Sequence, residues 1–208
     1  AGERLIPFDI VPRVIAAREW DRLSRGIEQR VRAINAFLHD IYHRQEIIRA
    51  GRVPIEAIAR NEAFLPQMIG VDPPGGVYTH IVGTDLVRTG EDEFYVLEDN
   101  ARTPSGVSYM LENRETMLHM FPELFMKTRV RPVSSYPAQL HRSLCACAPD
   151  HAGSAPVVGI LTPGSYNSAY YEHSFLADLM GVELVEPADL FVDEDRVWMK
   201  TTLGPKAV

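Results

Sequence analysis

The sequence predicts an α/β chain with α+β character: N-terminal helices, then a β-hairpin, then a strand–helix–strand unit. Three observations carry that prediction. Apolar residues recur every three or four positions from Trp20 to Ile41, the mark of an amphipathic helix. Two apolar stretches flank a polar turn around Glu91 and Asp92. Between Val157 and Val185 an apolar run, a helical stretch and a second apolar run succeed one another, as in a parallel strand–helix–strand unit.

The first helix is expected from near Ala17, with Gly51 as a C-terminal signal after the last periodic residues. Pro54 can occupy the first turn of a short second helix. Asp72-Pro73-Pro74-Gly75-Gly76 is a turn cluster. Val77 to Arg88 then reads as a strand, Thr89 to Glu93 as a polar turn and Phe94 to Asn100 as the returning strand. Helical stretches follow at Tyr109 to Lys127 and Pro137 to Ala148, with Asp150 to Pro156 as a linker. Beyond it come a strand at Val157–Leu161, a helix at Ala169–Met180, a strand at Val182–Val185 and a closing hairpin from Phe191 to Lys200. Residues 1–149 thus read as a helical segment plus hairpin, and 156–208 as a second unit.

Composition excludes several classes. With 46% hydrophobic and 24% charged residues among 208, the chain is neither disordered, collagen-like nor coiled coil. No apolar run approaches the roughly 18 residues that a membrane helix needs. A net charge of -7 argues against a broad nucleic-acid footprint. Only three lysines, Lys127, Lys200 and Lys206, stand against 18 arginines. Cys145 and Cys147 point to different faces of a helix and are too few for a disulfide scaffold, so a reducing cytoplasm is the expected setting. The chain opens AGERLIPFDI without an initiator Met and closes on WMKTTLGPKAV just after a strand-like stretch, so we expect a fragment.

The densest polar cluster runs from Glu98 to Gly106, directly after an apolar strand. Alternation puts Glu98 and Asn100 on one face, roughly 7 Å apart. If Asp85 lies opposite Glu98 across the hairpin, two carboxylates and an amide oxygen converge, and carboxylates that close repel unless a cation sits between them. Mg²⁺ suits such hard oxygens; the other reading is a strand end whose acids face water. Arg102 can offer phosphate or a carboxylate a planar fork, or can pair with Asp99. Ser108 can cap the next helix. Thr162 to Ser168 joins a strand to a helix, either as an anion-holding loop or as an ordinary connection capped by Ser168. His39-Asp40-Ile41-Tyr42-His43 has the outline of a zinc helix, but with Asp in place of Glu and no third ligand indicated, it reads as solvated or structural histidines.

Tyr95 to Asn100, followed by Arg102-Thr103-Pro104-Ser105-Gly106 and the run to Arg114, resembles the signature of the circularly permuted ATP-grasp family, which is related to the synthetase domain of glutathionylspermidine synthetase. The likeness extends to Pro73–Tyr78, Phe121–Phe125 and Thr162–His173, nearly end to end. It implies an ATP- and Mg²⁺-dependent ligase that phosphorylates a carboxylate and lets an amine or thiol attack the acyl phosphate, with two Mg²⁺ ions as cofactors. The related synthetase holds its metals with an Asp and a Glu-x-Asn pair, positions that match Asp85, Glu98 and Asn100 here. Its substrate contacts fall near the positions of Ser105 and Gly106, and the likeness extends the candidates to Tyr166 and Asn167, with Arg102 as the catalytic candidate.

The family also clamps ATP between strands and sets lysines against its phosphates. The three lysines here lie in none of the motif segments, so we expect the ATP-clamping remainder beyond residue 208 and the fragment alone to be inactive. The expected partners are ATP, a small peptide-like or amino-acid carboxylate with an amine, and the C-terminal remainder of the same chain, with no nucleic acid and no membrane. The competing expectation is a non-catalytic scaffold that keeps the fold; a metal hydrolase resting on His39 and His43 is third.

Overall fold

The computed structural model describes residues 7–149 and 152–208. Contacts group the chain into two units, Arg13–Pro104 and Ser105–Val208, the latter with residues 7–12. The contacts do not divide at the expected linker, of which Asp150 and His151 lie outside the described residues.

In the Arg13–Pro104 unit, α1 spans Ala17–Tyr42, as its periodicity predicts. The Glu19 carboxylate accepts the Ala16 N–H at 2.9 Å, satisfying one of the donors that a helix start leaves open. Two short helices follow, α2 at Glu46–Arg49 and α3 at Ile55–Ala59, the latter after Pro54. Gly51, with φ of 65°, therefore follows α2 and not α1. Ile41, Tyr42 and Ile58 are buried together, with Phe37, Leu38, Ile47 and Phe64 packed against them. Each such side chain contributes about 1.5–3 kcal/mol on burial.

The hairpin is β1, Gly83–Gly90, and β2, Glu93–Asn100. The first strand starts six residues later than the alternation predicts, and hydrogen bonding explains it. Tyr78 and Thr79 both donate their backbone N–H to the Asn35 carboxamide oxygen of α1, at 2.8 and 3.1 Å. Those donors are spent on the helix and cannot extend a ladder. The turn is also tighter than predicted: Gly90 pairs with Glu93, leaving Glu91 and Asp92, and Asp92 takes a φ of 58° that an Asp tolerates.

In the Ser105–Val208 unit, α4 covers Val107–Met120 and α5 Pro122–Lys127. The expected single helix breaks because Pro122 has no N–H to give. Next is α6, Tyr136–Ala146. Strand β3, Gly159–Leu161, pairs parallel with β4, Glu183–Val185, across α7, Tyr170–Met180, which is the predicted strand–helix–strand unit. Strands β5 (Leu190–Asp193), β6 (Arg196–Met199) and β7 (Lys206–Ala207) form a separate antiparallel sheet. Among the described residues no helix is long and apolar enough to cross a membrane.

Candidate metal centre on the hairpin

Asp85 stands directly opposite Glu98 in the ladder, the pairing on which convergence depends. Immediately beyond it the register shifts, so that Leu86 faces Val96 and Leu97 is left unpaired as a bulge. A bulge of this kind bends its strand and re-aims the neighbouring side chains. Asn100 Nδ2 donates to Glu98 Oε1 at 3.2 Å, so the pair shares a face and the Asn100 carboxamide oxygen is free of that bond. Asp85, Glu98 and Asn100 are all exposed.

The neighbouring acids sort by whether an arginine meets them. Asp99 receives Arg30 at 2.5 Å and the Thr84 hydroxyl at 3.0 Å. Asp92 pairs with Arg18 at 3.0 Å, and the buried Glu19 with Arg88 at 2.5 Å. Asp85 and Glu98 have no basic partner among the described residues. Two like charges opposite each other on a ladder destabilise it, and among the described residues only the neutral Asn100 amide, on Glu98, works against that. A hard divalent cation does, and a donor set of two carboxylates and an amide oxygen fits Mg²⁺.

Arg102 is exposed and makes no hydrogen bond or ion pair among the described residues. The reading that it pairs with Asp99 is overturned, since Arg30 and Thr84 occupy that carboxylate. Its backbone is nonetheless fixed from both sides. The Thr79 hydroxyl donates to the Ala101 carbonyl. Gly83 allows Pro104 to close on β1, where a Cβ would come within 2.7 Å of the Pro104 Cβ.

The remaining candidates lie in the other unit. Ser105 is exposed. The Gly106 amide is not free: it donates to Glu172 Oε2 at 2.7 Å. With φ of 104°, Gly106 itself occupies the cap position of α4. Ser108 caps nothing; it is the second residue of α4, fully buried, with its hydroxyl 3.4 Å from the Glu172 carbonyl. Tyr166 is 98% exposed. Asn167 Oδ1 accepts the Ala169 N–H at 2.9 Å, so Asn167 and not Ser168 prepares the start of α7. The loop is organised from beneath by Thr162, 1% exposed, whose hydroxyl accepts the Gly164 N–H and lies 3.0 Å from His173 Nδ1. Sequence reasoning missed Thr162 and Glu172 as organisers. Their only signal was their place inside the Thr162–His173 run.

The histidine pair also differs from expectation. His39 is exposed, but the His43 side chain is only 19% exposed. Asp40, in the place of a zinc protease's general base, is spent elsewhere: its two oxygens accept the Glu46 and Ile47 N–H groups at 2.8 and 2.9 Å. Those two bonds hold its pKa below the ordinary carboxylate value. Asp40 is therefore not the free base that such hydrolysis needs.

Comparison with known proteins completes the picture. A family model described as a circularly permuted ATPgrasp matches residues 12–208. An uncharacterised protein of Synechocystis sp. is 52% identical over 206 residues, covering 99% of this chain and 43% of that protein. One from Mycobacterium tuberculosis is likewise 52% identical over 206 residues, 99% of this chain and 37% of its own length. A Frankia casuarinae protein provisionally named glutamate–cysteine ligase 2-2 is 43% identical over 199 residues, 95% of this chain and 23% of that protein. The chain therefore spans less than half the length of these curated relatives.

Proposed function

The chain belongs to the circularly permuted ATP-grasp family, and from that premise we propose that it supplies the metal-ligand segment of a cytoplasmic, ATP- and Mg²⁺-dependent ligase joining a carboxylate to an amine or thiol. The observation that carries this reading is the Asp85–Glu98 cross-strand pair, left without a basic partner among the described residues while Asp99, Asp92 and Glu19 each meet an arginine. Asp85, Glu98 and Asn100 would hold Mg²⁺. Bound there, the ion would offset charge on phosphate oxygens during transfer. Arg102, unengaged and planar, binds a phosphate or the substrate carboxylate by its fork. Ser105, Tyr166 and the Asn167 amide group are the proposed substrate contacts. Gly106 contributes the open space beside it, where nothing lies within 4 Å of an added Cβ.

The Frankia protein's name supports ligase chemistry at this coarse level, and the match covers too little of it to carry a substrate pair. Likeness to glutathionylspermidine synthetase is part of the proposal on the same footing: a peptide-like or amino-acid carboxylate and an amine. Two of the three lysines are engaged locally, Lys127 with Glu123 at 3.6 Å and Lys200 with the Ala188 carbonyl at 2.7 Å. Phosphate-binding lysines then come from sequence outside these residues, and the segment alone does not turn over ATP. The same shortage favours one second reading, a non-catalytic scaffold.

Thermal unfolding of the full-length protein with and without Mg²⁺-ATP decides between them, run beside Glu98→Ala and the 208-residue segment. Ligand at about 100 times Kd adds about 2.7 kcal/mol of stability. A shift confined to the intact wild type, followed by ADP release that requires both a carboxylate and an amine, is the expected result. No shift in well-folded intact protein would leave the scaffold.

A further inference from the structure

We propose a second metal site in the Arg13–Pro104 unit, binding a zinc-class divalent ion through His39, His43 and Asp72. It is independent of the hairpin and does not rest on the ligase reading. The two histidines sit one turn apart on α1 with rings stacked, 4.4 Å between centroids and 10° between planes. Their Nε2 atoms reach the same oxygen, Asp72 Oδ1, at 3.7 Å from His39 and 3.3 Å from His43. One ligand atom from each of the three residues lies within 4.8 Å of the others. Ligands on a tetrahedral zinc, with bonds of about 2.0–2.1 Å, stand roughly 3.3 Å apart, so the two near-parallel rings turn toward each other about their side-chain bonds to bring both lone pairs onto the ion.

The protonation pattern fits an ion. His43 Nδ1 lies 3.0 Å from the His39 carbonyl, which can only accept, and 3.4 Å from the Tyr78 hydroxyl; the shorter contact is met by a proton on Nδ1, which leaves the lone pair on Nε2. This is the arrangement in which a ligating histidine is held by its second nitrogen. His43 Nε2 is buried and has no hydrogen-bond partner, although Asp72 is within ion-pair distance. The carboxylate lies off the line along which an N–H would donate. An ion on the ring lone pair takes its next ligand at about 109° from that bond and uses the offset.

The loop bearing Asp72 is prepared. Gly70 N–H donates to the Tyr42 carbonyl at 2.9 Å, and the Tyr78 hydroxyl donates to the Val71 carbonyl at 3.1 Å while lying 3.4 Å from Asp72 Oδ1. Two imidazoles and one carboxylate select borderline first-row ions over Mg²⁺. With three protein ligands and His39 and Asp72 both more than half exposed, a solvent molecule completes the sphere. The ion clips the end of α1 to the loop that leads into the hairpin.

Isothermal titration of chelator-treated protein with zinc chloride tests the site, repeated in excess Mg²⁺. Expected is one strong equivalent that Mg²⁺ does not displace, at least about tenfold weaker in His39→Ala and in Asp72→Asn, both exposed positions whose folding is checked by circular dichroism. His119→Ala, an exposed histidine elsewhere, retains wild-type affinity. Co²⁺ in place of zinc gives visible absorption bands in the wild type that the two site variants lack. Folded wild type that binds no zinc, or wild-type affinity in either site variant, overturns the proposal and leaves a histidine–aspartate ion pair.

Discussion

Replacing Asp85 with Asn should stabilise the metal-free protein, although Asp85 is a proposed metal ligand. The side chain it faces is Glu98, directly across the ladder, where Cβ atoms sit about 5 Å apart. Two unit charges at that distance in water repel by about 0.8 kcal/mol, and physiological salt lowers this to a few tenths. No arginine, lysine or histidine meets either carboxylate among the described residues, so removing one charge leaves no cation unpaired. Asn keeps the shape and a side-chain oxygen. The gain is then roughly 0.3–0.8 kcal/mol, or a Tm rise of about 1–3 °C in a chain of this size.

The assay is thermal unfolding of wild type and Asp85→Asn in chelator at two salt concentrations, then with Mg²⁺. The gain should shrink at high salt and reverse in sign with Mg²⁺, which stabilises only the wild type. A variant less stable than wild type in chelator would show that the carboxylate has a structural partner. Equal Mg²⁺ responses in both proteins would remove Asp85 from the site. Either result refutes the charge reasoning.

Gly83→Ala brings a methyl within 2.7 Å of Pro104 and should cost about 1–3 kcal/mol by chemical denaturation, with a weakened Mg²⁺ response because the Ala101–Pro104 segment must move. Glu172→Ala strands the Gly106 N–H and should cost about 1–3 kcal/mol, whereas Glu172→Gln keeps an acceptor and costs less; equal losses would mean the 2.7 Å bond is not what matters. Burial pushes the Tyr136 phenol above its ordinary value of about 10. The folded form therefore keeps its proton to higher pH than the unfolded chain, so this stability is intact below about pH 10 and declines as pH rises from there through the folded value. Tyr136→Phe should flatten that part of the alkaline unfolding profile, and an unchanged profile would exclude it.

Local pattern made most of the elements legible. Period and alternation gave α1, the hairpin and the strand–helix–strand unit, because each depends on residues close in sequence. The Asp85–Glu98 pairing was legible from a two-residue turn at Glu91 and Asp92, and it survives because two irregularities that the sequence does not announce, at Thr89 and at Leu97, cancel. Apart from the local break at Pro122 that separates α4 from α5, the failures were tertiary. Nothing local announces that Asn35, some forty residues upstream, takes the backbone donors of Tyr78 and Thr79 and delays β1. Nor does sequence spacing bring Asp72 to His39, or Glu172 to Gly106. Asp40 was set aside as a base from residue type alone, and its bonds to the Glu46 and Ile47 N–H groups, which spacing does not announce, supply the structural reason.

Those pairings also explain why a site of mutually repelling, exposed acids keeps its place. Side chains alternate along a strand, so a one-residue slip of β2 would carry Glu98 onto the α1 side and Asp99 onto the other. Arg30 of α1 binds Asp99 of β2, which is 12% exposed, while Arg88 of β1 binds the buried Glu19 of α1; both strands are thus tied to the same helix, and a slip of β2 breaks the partly buried Arg30–Asp99 pair. Breaking such pairs one-sidedly costs more than the few tenths of a kcal/mol gained by separating Asp85 from Glu98. The acids that have arginine partners thus fix the register, and the acids that lack them can remain together and charged, ready for a cation.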